Sequence, residues 1–159
     1  MLLAHPGGPY WARKDDGAWS IPKGEFGDDE EPLAAARREI EEEMGHSADG
    51  EFLPLEPLKQ PSGKLVLAWA VRCDFDPSMV KSNMFSMEWP PKSGRQEQFP
   101  EVDRAAWFPI DVARQKILNG QAPFLDQLLV KVRDTPRVAP PAGALPTNRQ
   151  RSLFDDENS

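Results

Sequence analysis

Residues 24–46 read GEFGDDEEPLAAARREIEEEMGH, and this stretch governs how the rest of the chain is read. From Pro32 to Met44 the apolar residues Leu33, Ala34, Ala35, Ala36, Ile40 and Met44 recur at helical spacing among good helix formers. Pro32 suits a first turn, and Gly45 stands where a helix end needs a left-handed residue. Glu39, Glu42 and Glu43 then lie at i, i+3 and i+4, which places three carboxylates on one face while Leu33, Ala36, Ile40 and Met44 point elsewhere. Arg37 is spaced to pair with Glu41, and Arg38 to brace Glu42.

The charge of the chain is concentrated here. The 159 residues carry a formal net charge of −7, and the 22 residues from Gly24 to Gly45 hold nine acids against two arginines, which accounts for all of it. A charge run on a helix usually marks a solvated face. Two physical points argue for more. Glu42 and Glu43 fall in the last turn, where the helix dipole disfavours anions. Three neighbouring carboxylates also repel one another. A hard divalent cation with oxygen ligands relieves both. The entry to the helix, Pro22-Lys23-Gly24 with Phe26-Gly27, is a glycine-punctuated turn able to bring backbone and a lysine close to a ligand. It lacks the GxxxxGK[ST] pattern of a nucleotide-triphosphatase loop.

Outward from this stretch, Met1–His5 reads as a short apolar strand before the turn Pro6-Gly7-Gly8-Pro9. Residues 52–59 read as an irregular strand broken by prolines. Residues 64–74 (KLVLAWAVRCD) read as the strongest strand, buried on both faces. Residues 76–100 read as one long connection, residues 105–108 as a short strand, and residues 111–118 and 123–132 as two helices. Alternating strands and helices give an α/β or α+β sandwich. A domain over residues 1–132 is expected, with residues 133–159 a disordered tail apart from a Leu153-Phe154 anchor. One cysteine, Cys73, excludes an intrachain disulfide. No apolar run approaches the about 18 residues of a membrane span, and no signal peptide is evident. Net acidity without a basic stripe argues against a polymeric nucleic acid partner. A cytoplasmic protein is expected.

The run from Gly24 to His46 resembles the Nudix hydrolase signature, with Gly24, Glu30, Arg38, Glu39, Ile40, Glu42, Glu43 and Gly45 at the matching positions. Only the closing hydrophobic position departs, being His46. Within the family the chain is most similar to a small bacterial group of NTP pyrophosphohydrolases. The resemblance implies an α/β fold, a Nudix-type α/β/α sandwich with a mixed sheet, here lacking the usual first N-terminal strand. It implies Mg²⁺- or Mn²⁺-dependent hydrolysis of a phosphoanhydride bond in a nucleoside triphosphate, dinucleoside polyphosphate or other nucleoside diphosphate derivative.

Carried over by position, the resemblance makes Glu42 and Glu43 metal ligands, Glu39 a ligand or the water-activating base, and the Gly24 carbonyl a further ligand. Arg38 and Glu30 brace the loop and helix. The late segment offers Glu97 and Glu101 as a second-site ligand or base, and Glu97 is favoured. Lys23 and Lys64 are candidate phosphate contacts. Trp11 and Trp89, in loop-like contexts, are candidate surfaces for a base, whereas Trp69 reads as core. His5 and His46 read as ordinary polar residues. The small nucleotide is the expected partner of a monomer or homodimer. The alternative is a catalytically reduced Nudix domain that binds a nucleotide or a protein partner.

Overall fold

The computed structural model describes residues 1–134. Its elements in chain order are β1 (Leu2–Pro6), α1 (Pro32–Met44), β2 (Phe52–Pro54), β3 (Leu58–Lys59), β4 (Leu65–Val66), β5 (Trp69–Val71), β6 (Met84–Glu88), β7 (Gln96–Pro100), β8 (Val102–Trp107), α2 (Ile110–Lys116) and α3 (Pro123–Asp134). Single 3₁₀ turns lie at Pro77–Met79 and Asn119–Gln121.

The apolar start of the chain does not alternate because β1 is covered on both faces. Leu3 packs with Trp19, Ala113, Ile117 and Leu125, on the side of α2 and α3. Its neighbour Ala4 points the opposite way, onto Met44 of α1, Phe75 and Val102. The antiparallel β1–β8 ladder, in register from Leu2↔Trp107 to His5↔Arg104, is thus the middle layer of an α/β/α sandwich. The other described strands pair antiparallel as β2–β5, β3–β4 and β6–β7, and a parallel bridge between Trp19 and Ile117 makes the arrangement mixed. The β1–β8 and β2–β5 ladders are not hydrogen-bonded to each other. A cavity of about 1200 Å³ is lined from both, by Leu2, Ala68 and Trp69, and from the helices, by Ile40, Phe124 and Leu128.

Helix α1 has the bounds that its pattern requires. Pro32 is its first residue, the Glu31 carboxylate accepts from the Ala34 N–H at 2.8 Å, and Gly45 closes it at φ 69°. Arg37 does not pair with Glu41; its guanidinium lies over the Phe52 ring at 4.5 Å. α2 and α3 occupy the expected segments, with α3 running to Asp134. Residues 135–159, where most of the tail and its anchor were expected, lie outside the described residues.

Two expectations need correction. Residues 64–74 form no continuous strand: the ladder breaks at Leu67–Ala68, and the pieces are half-buried, with Leu65 largely exposed beside the cavity. Continuous apolarity here reflects the cavity wall, not a sheet covered on both faces. Residues 76–100 are not one loop. They contain the β6–β7 hairpin, whose Phe85 and Phe99 rings pack together across the strands. Prolines at both ends and a turn with Pro90, Pro91 and Gly94 masked two short strands of five residues each. Among the described residues no helix is long and apolar enough to cross a membrane.

Ile117 is fully buried in the α2-side core, whereas Val130 on α3 is mostly exposed. Ile117→Ala is expected to cost about 2–5 kcal/mol in urea unfolding and Val130→Ala less than about 0.5 kcal/mol. Equal losses would show that this core is not packed as described.

Candidate active site

The acidic stretch folds around one guanidinium. Arg38 Nε donates to Glu30 Oε1 at 3.0 Å and Nη2 to Glu30 Oε2 at 3.1 Å, a bidentate pair that ties the loop before α1 to the helix. Its Nη1 donates to Glu39 at 2.7 Å and Glu42 at 3.3 Å, and Nη2 also reaches the Glu25 carbonyl at 3.2 Å. All five donors of the side chain are used. The same bonds hold the Glu30 carboxyl below the usual carboxylate range and Arg38 above its ordinary value.

Glu43 does not share the outward face assigned to it. It is buried, and its carboxylate accepts from the backbone N–H of Lys23 at 2.8 Å. Burial pushes its carboxyl up to about 7 against the opposing effect of that hydrogen bond, and the charges of Glu39 and Glu101 push it further the same way. Gly24 follows Lys23 in this turn. A Cβ there would stand 1.7 Å from the Glu39 carboxyl carbon, so any side chain at this position would push that carboxylate aside.

The end of α1 is satisfied from a segment that carries no signature. The Lys81 N–H donates to the Met44 carbonyl at 3.2 Å, and Asn83 N–H to the Glu42 carbonyl at 3.1 Å. The Asn83 carbonyl in turn accepts from the Glu101 N–H at 2.9 Å. This chain of backbone bonds is what brings Glu101 to the acidic helix. Among the described residues the Glu101 carboxylate has no cationic or hydrogen-bonding partner, in contrast to Glu39, Glu42 and Glu43. Glu97, favoured from sequence, sits four residues back on β7 opposite Met87, with Arg95 at 3.6 Å. It is about 13 Å along the strand from Glu101.

The remaining candidates separate. The Lys23 side chain is exposed beside the turn, and Lys64 Nζ pairs with Glu25 in the loop before α1. Trp11 packs in part against the α2-side core, under the Lys14 ammonium. Trp89 meets the exposed Tyr10 ring edge-on. His5, read from the sequence as an ordinary polar residue, is fully buried: its Nε2 donates to the Lys14 carbonyl at 2.8 Å, and Nδ1 lies 2.9 Å from the Asp103 carboxylate. A lone histidine in an apolar strand gave no signal that both ring nitrogens would find partners from distant segments.

Among the described residues no three His, Cys, Asp or Glu side chains converge as a ready-made metal cage. The donor set still has the chemistry that suits a hard cation: all carboxylate oxygens, in a glycine-lined turn, with burial and then like charges raising the Glu43 carboxyl to about 7. Mg²⁺ is commonly held by one or two carboxylates, waters and substrate phosphates, which requires no closed cage.

Residues 1–128 match the NUDIX domain, and the chain belongs to that family, the class of the Nudix hydrolases. It is 34% identical over 110 residues to the 8-oxo-(d)GTP phosphatase of Mycolicibacterium smegmatis, a match that covers 66% of this chain and 27% of that protein. Its fold is similar to the solution structure of the E. coli ORF135 protein, with a TM-score of 0.55 and 22% identity over 86% of this chain and 84% of that one.

A carboxyl whose native value is raised to about 7 from an ordinary 4.5 binds more protons in the folded than in the unfolded chain between those values. Stability of the metal-free protein is therefore expected to fall as pH rises from about 4.5 to about 7, by on the order of 1–3 kcal/mol, and to level off above. Glu43→Gln should remove that fall in urea unfolding with a chelator present; an unchanged pH profile would exclude Glu43 as its source. Gly24→Ala should displace the Glu39 carboxylate and lower activity at least tenfold with the fold retained by circular dichroism.

Proposed function

We propose that the chain hydrolyses a phosphoanhydride bond of a nucleotide, with Mg²⁺ or Mn²⁺ held by Glu39, Glu42, Glu43 and the Gly24 carbonyl. The observation that carries this is the arrangement around Arg38. A single guanidinium is shared by Glu39 and Glu42, while Glu43 stands buried behind them under the influence of Glu39 and Glu101. Such a set is short of positive charge and has room for more. Bound there, the cation supplies neutralisation of the phosphate oxygens and a more acidic water.

The protein groups divide the remaining work. Glu30 keeps Arg38 anchored through two bonds, so Arg38 can release Glu39 and Glu42 to the cation without leaving the site. Gly24 lets the Lys23 turn lie against the helix, and the exposed Lys23 side chain beside it is the candidate phosphate contact. Glu101 is favoured over Glu97 and Glu39 as the general base. It is the carboxylate near Glu43 that, among the described residues, no cation or donor occupies, and so it can take the proton of the attacking water. Phosphoryl transfer needs little else beyond alignment and charge neutralisation. Similarity to the 8-oxo-(d)GTP phosphatase supports nucleoside triphosphates as one substrate class; dinucleoside polyphosphates and other nucleoside diphosphate derivatives are the others.

The test is release of phosphate, pyrophosphate or nucleoside monophosphate from a nucleotide panel with Mg²⁺ or Mn²⁺. Glu42→Gln should lower kcat at least 100-fold, and hydrolysis by that variant at the wild-type rate would exclude the metal assignment. Glu101→Gln should lower kcat about 10²–10⁴-fold, and Glu97→Gln less than threefold. The reverse order would move the base to the hairpin.

A further inference from the structure

Gln121 is only 5% exposed, and one end of its amide is committed. Its Oε1 accepts from the Ile21 N–H at 3.0 Å. Turning the amide over would set its NH₂ against that N–H, donor against donor, so the orientation is fixed. The Nε2 end meets no acceptor among the described residues. It is not sealed away either, since no fully enclosed side-chain nitrogen or oxygen among them lacks a partner. Gln121 lines the cavity of about 1200 Å³, and the unused NH₂ opens on that space. The residue is held in place by its own turn. The Gln121 N–H donates to the Leu118 carbonyl at 2.8 Å, the Leu118 N–H donates to the Trp19 carbonyl at 2.8 Å, and Phe124 just beyond is buried.

The bond to Ile21 also joins Gln121 to the acidic helix. Ile21 opens the turn in which the Lys23 N–H donates to the Glu43 carboxylate and Gly24 packs against Glu39. Ile21 and Gly24 are three residues apart, at most about 11 Å between Cα atoms. Lys23, Gly24, Glu39 and Gln121 all line the same cavity, and much of its remaining wall is apolar, from Leu2, Ile40, Ala68, Trp69 and Phe124. A phosphate gains little from an apolar wall and one neutral amide, whereas a flat heterocycle with a polar edge suits both. A nucleotide whose phosphates meet the carboxylates and Lys23 thus has a wall for its base and a donor for the base edge.

We propose that Gln121 is a specificity-determining residue that selects bases with a keto oxygen, at C6 of a purine or C4 of a pyrimidine, over those with an amino group there. This rests on the hydrolase reading above and adds which bases the site prefers. With Oε1 taken by Ile21, the side chain offers the cavity only N–H donors. The carbonyl of hypoxanthine, guanine or uracil accepts from them. The amino group of adenine or cytosine at the same position is a second donor, and both groups are left unpaired. An amide uncommitted at both ends could turn over to serve either kind of base, and the Ile21 bond removes that freedom.

The experiment measures kcat/KM for ITP, ATP, UTP and CTP, with Mg²⁺, in the wild type and in Gln121→Met. The wild type should prefer ITP to ATP and UTP to CTP at least about tenfold, and Gln121→Met should bring both ratios below about threefold. Gln121→Met also deprives Ile21 of its acceptor, but a structural loss lowers all four values together. Ratios that survive the substitution overturn the proposal, as does a wild type without the preference. The NH₂ signals of Gln121, in protein labelled with ¹⁵N-glutamine and assigned by their NOE to the Ile21 N–H, give a readout that needs neither turnover nor the variant. IMP should shift them and bind at least about tenfold tighter than AMP. Signals unmoved by IMP, or equal affinity for the two, overturn the assignment. If the wild type hydrolyses none of the four triphosphates, the hydrolase reading fails by itself, and these titrations still decide the base subsite.

Discussion

One guanidinium reconciles a crowd of carboxylates that would otherwise push the loop and helix apart. Arg38 ties Glu30 and the Glu25 carbonyl, from the loop, to Glu39 and Glu42, from the helix. Because its planar fork has five donors, it can grip several acceptors in fixed directions, which the point charge of a lysine cannot do. The Lys23–Gly24 turn can then close against Glu39 and Glu43.

The fold serves that arrangement through a thin middle layer. Consecutive residues of β1 feed two different cores, Leu3 toward α2 and α3 and Ala4 toward α1. The α2 side also holds the turn that leads into the site: the Trp19 N–H donates to the Lys116 carbonyl, and the Ile21 N–H to the Gln121 side chain at 3.0 Å. From the other side, the segment before β6 caps the last carbonyls of α1 and delivers Glu101. The acidic helix is thus tied to the loop by ion pairs at Arg38 and held at its end by backbone hydrogen bonds. Neither set alone fixes where its carboxylates point.

Legibility varied with the range of the physics involved. Helix α1 was readable to the residue, because Pro32, Gly45 and the apolar spacing are local signals that agree with one another. The β6–β7 hairpin was not, since prolines and glycines obscured short strands whose stability comes from pairing across the hairpin. Residues 64–74 were misjudged for a related reason. Apolarity reports removal from water or proximity to a cavity, and a periodicity argument cannot tell which. The Asn83 bridge that brings Glu101 to the helix gave no signal when Glu97 and Glu101 were weighed, since it involves three segments far apart in the chain.

The sequence by itself determined the acidic helix, its ends, its glycine turn and the family to which this spacing belongs, because each depends on residues within a few turns of one another. The tertiary structure alone decided that Glu43 is buried while Glu42 is not, that Arg38 is shared among three carboxylates, and that Glu101 is the late acid drawn to the helix. Those outcomes depend on desolvation and on hydrogen bonds between distant segments. Spacing along a chain carries neither quantity, and both arise only once the layers have packed.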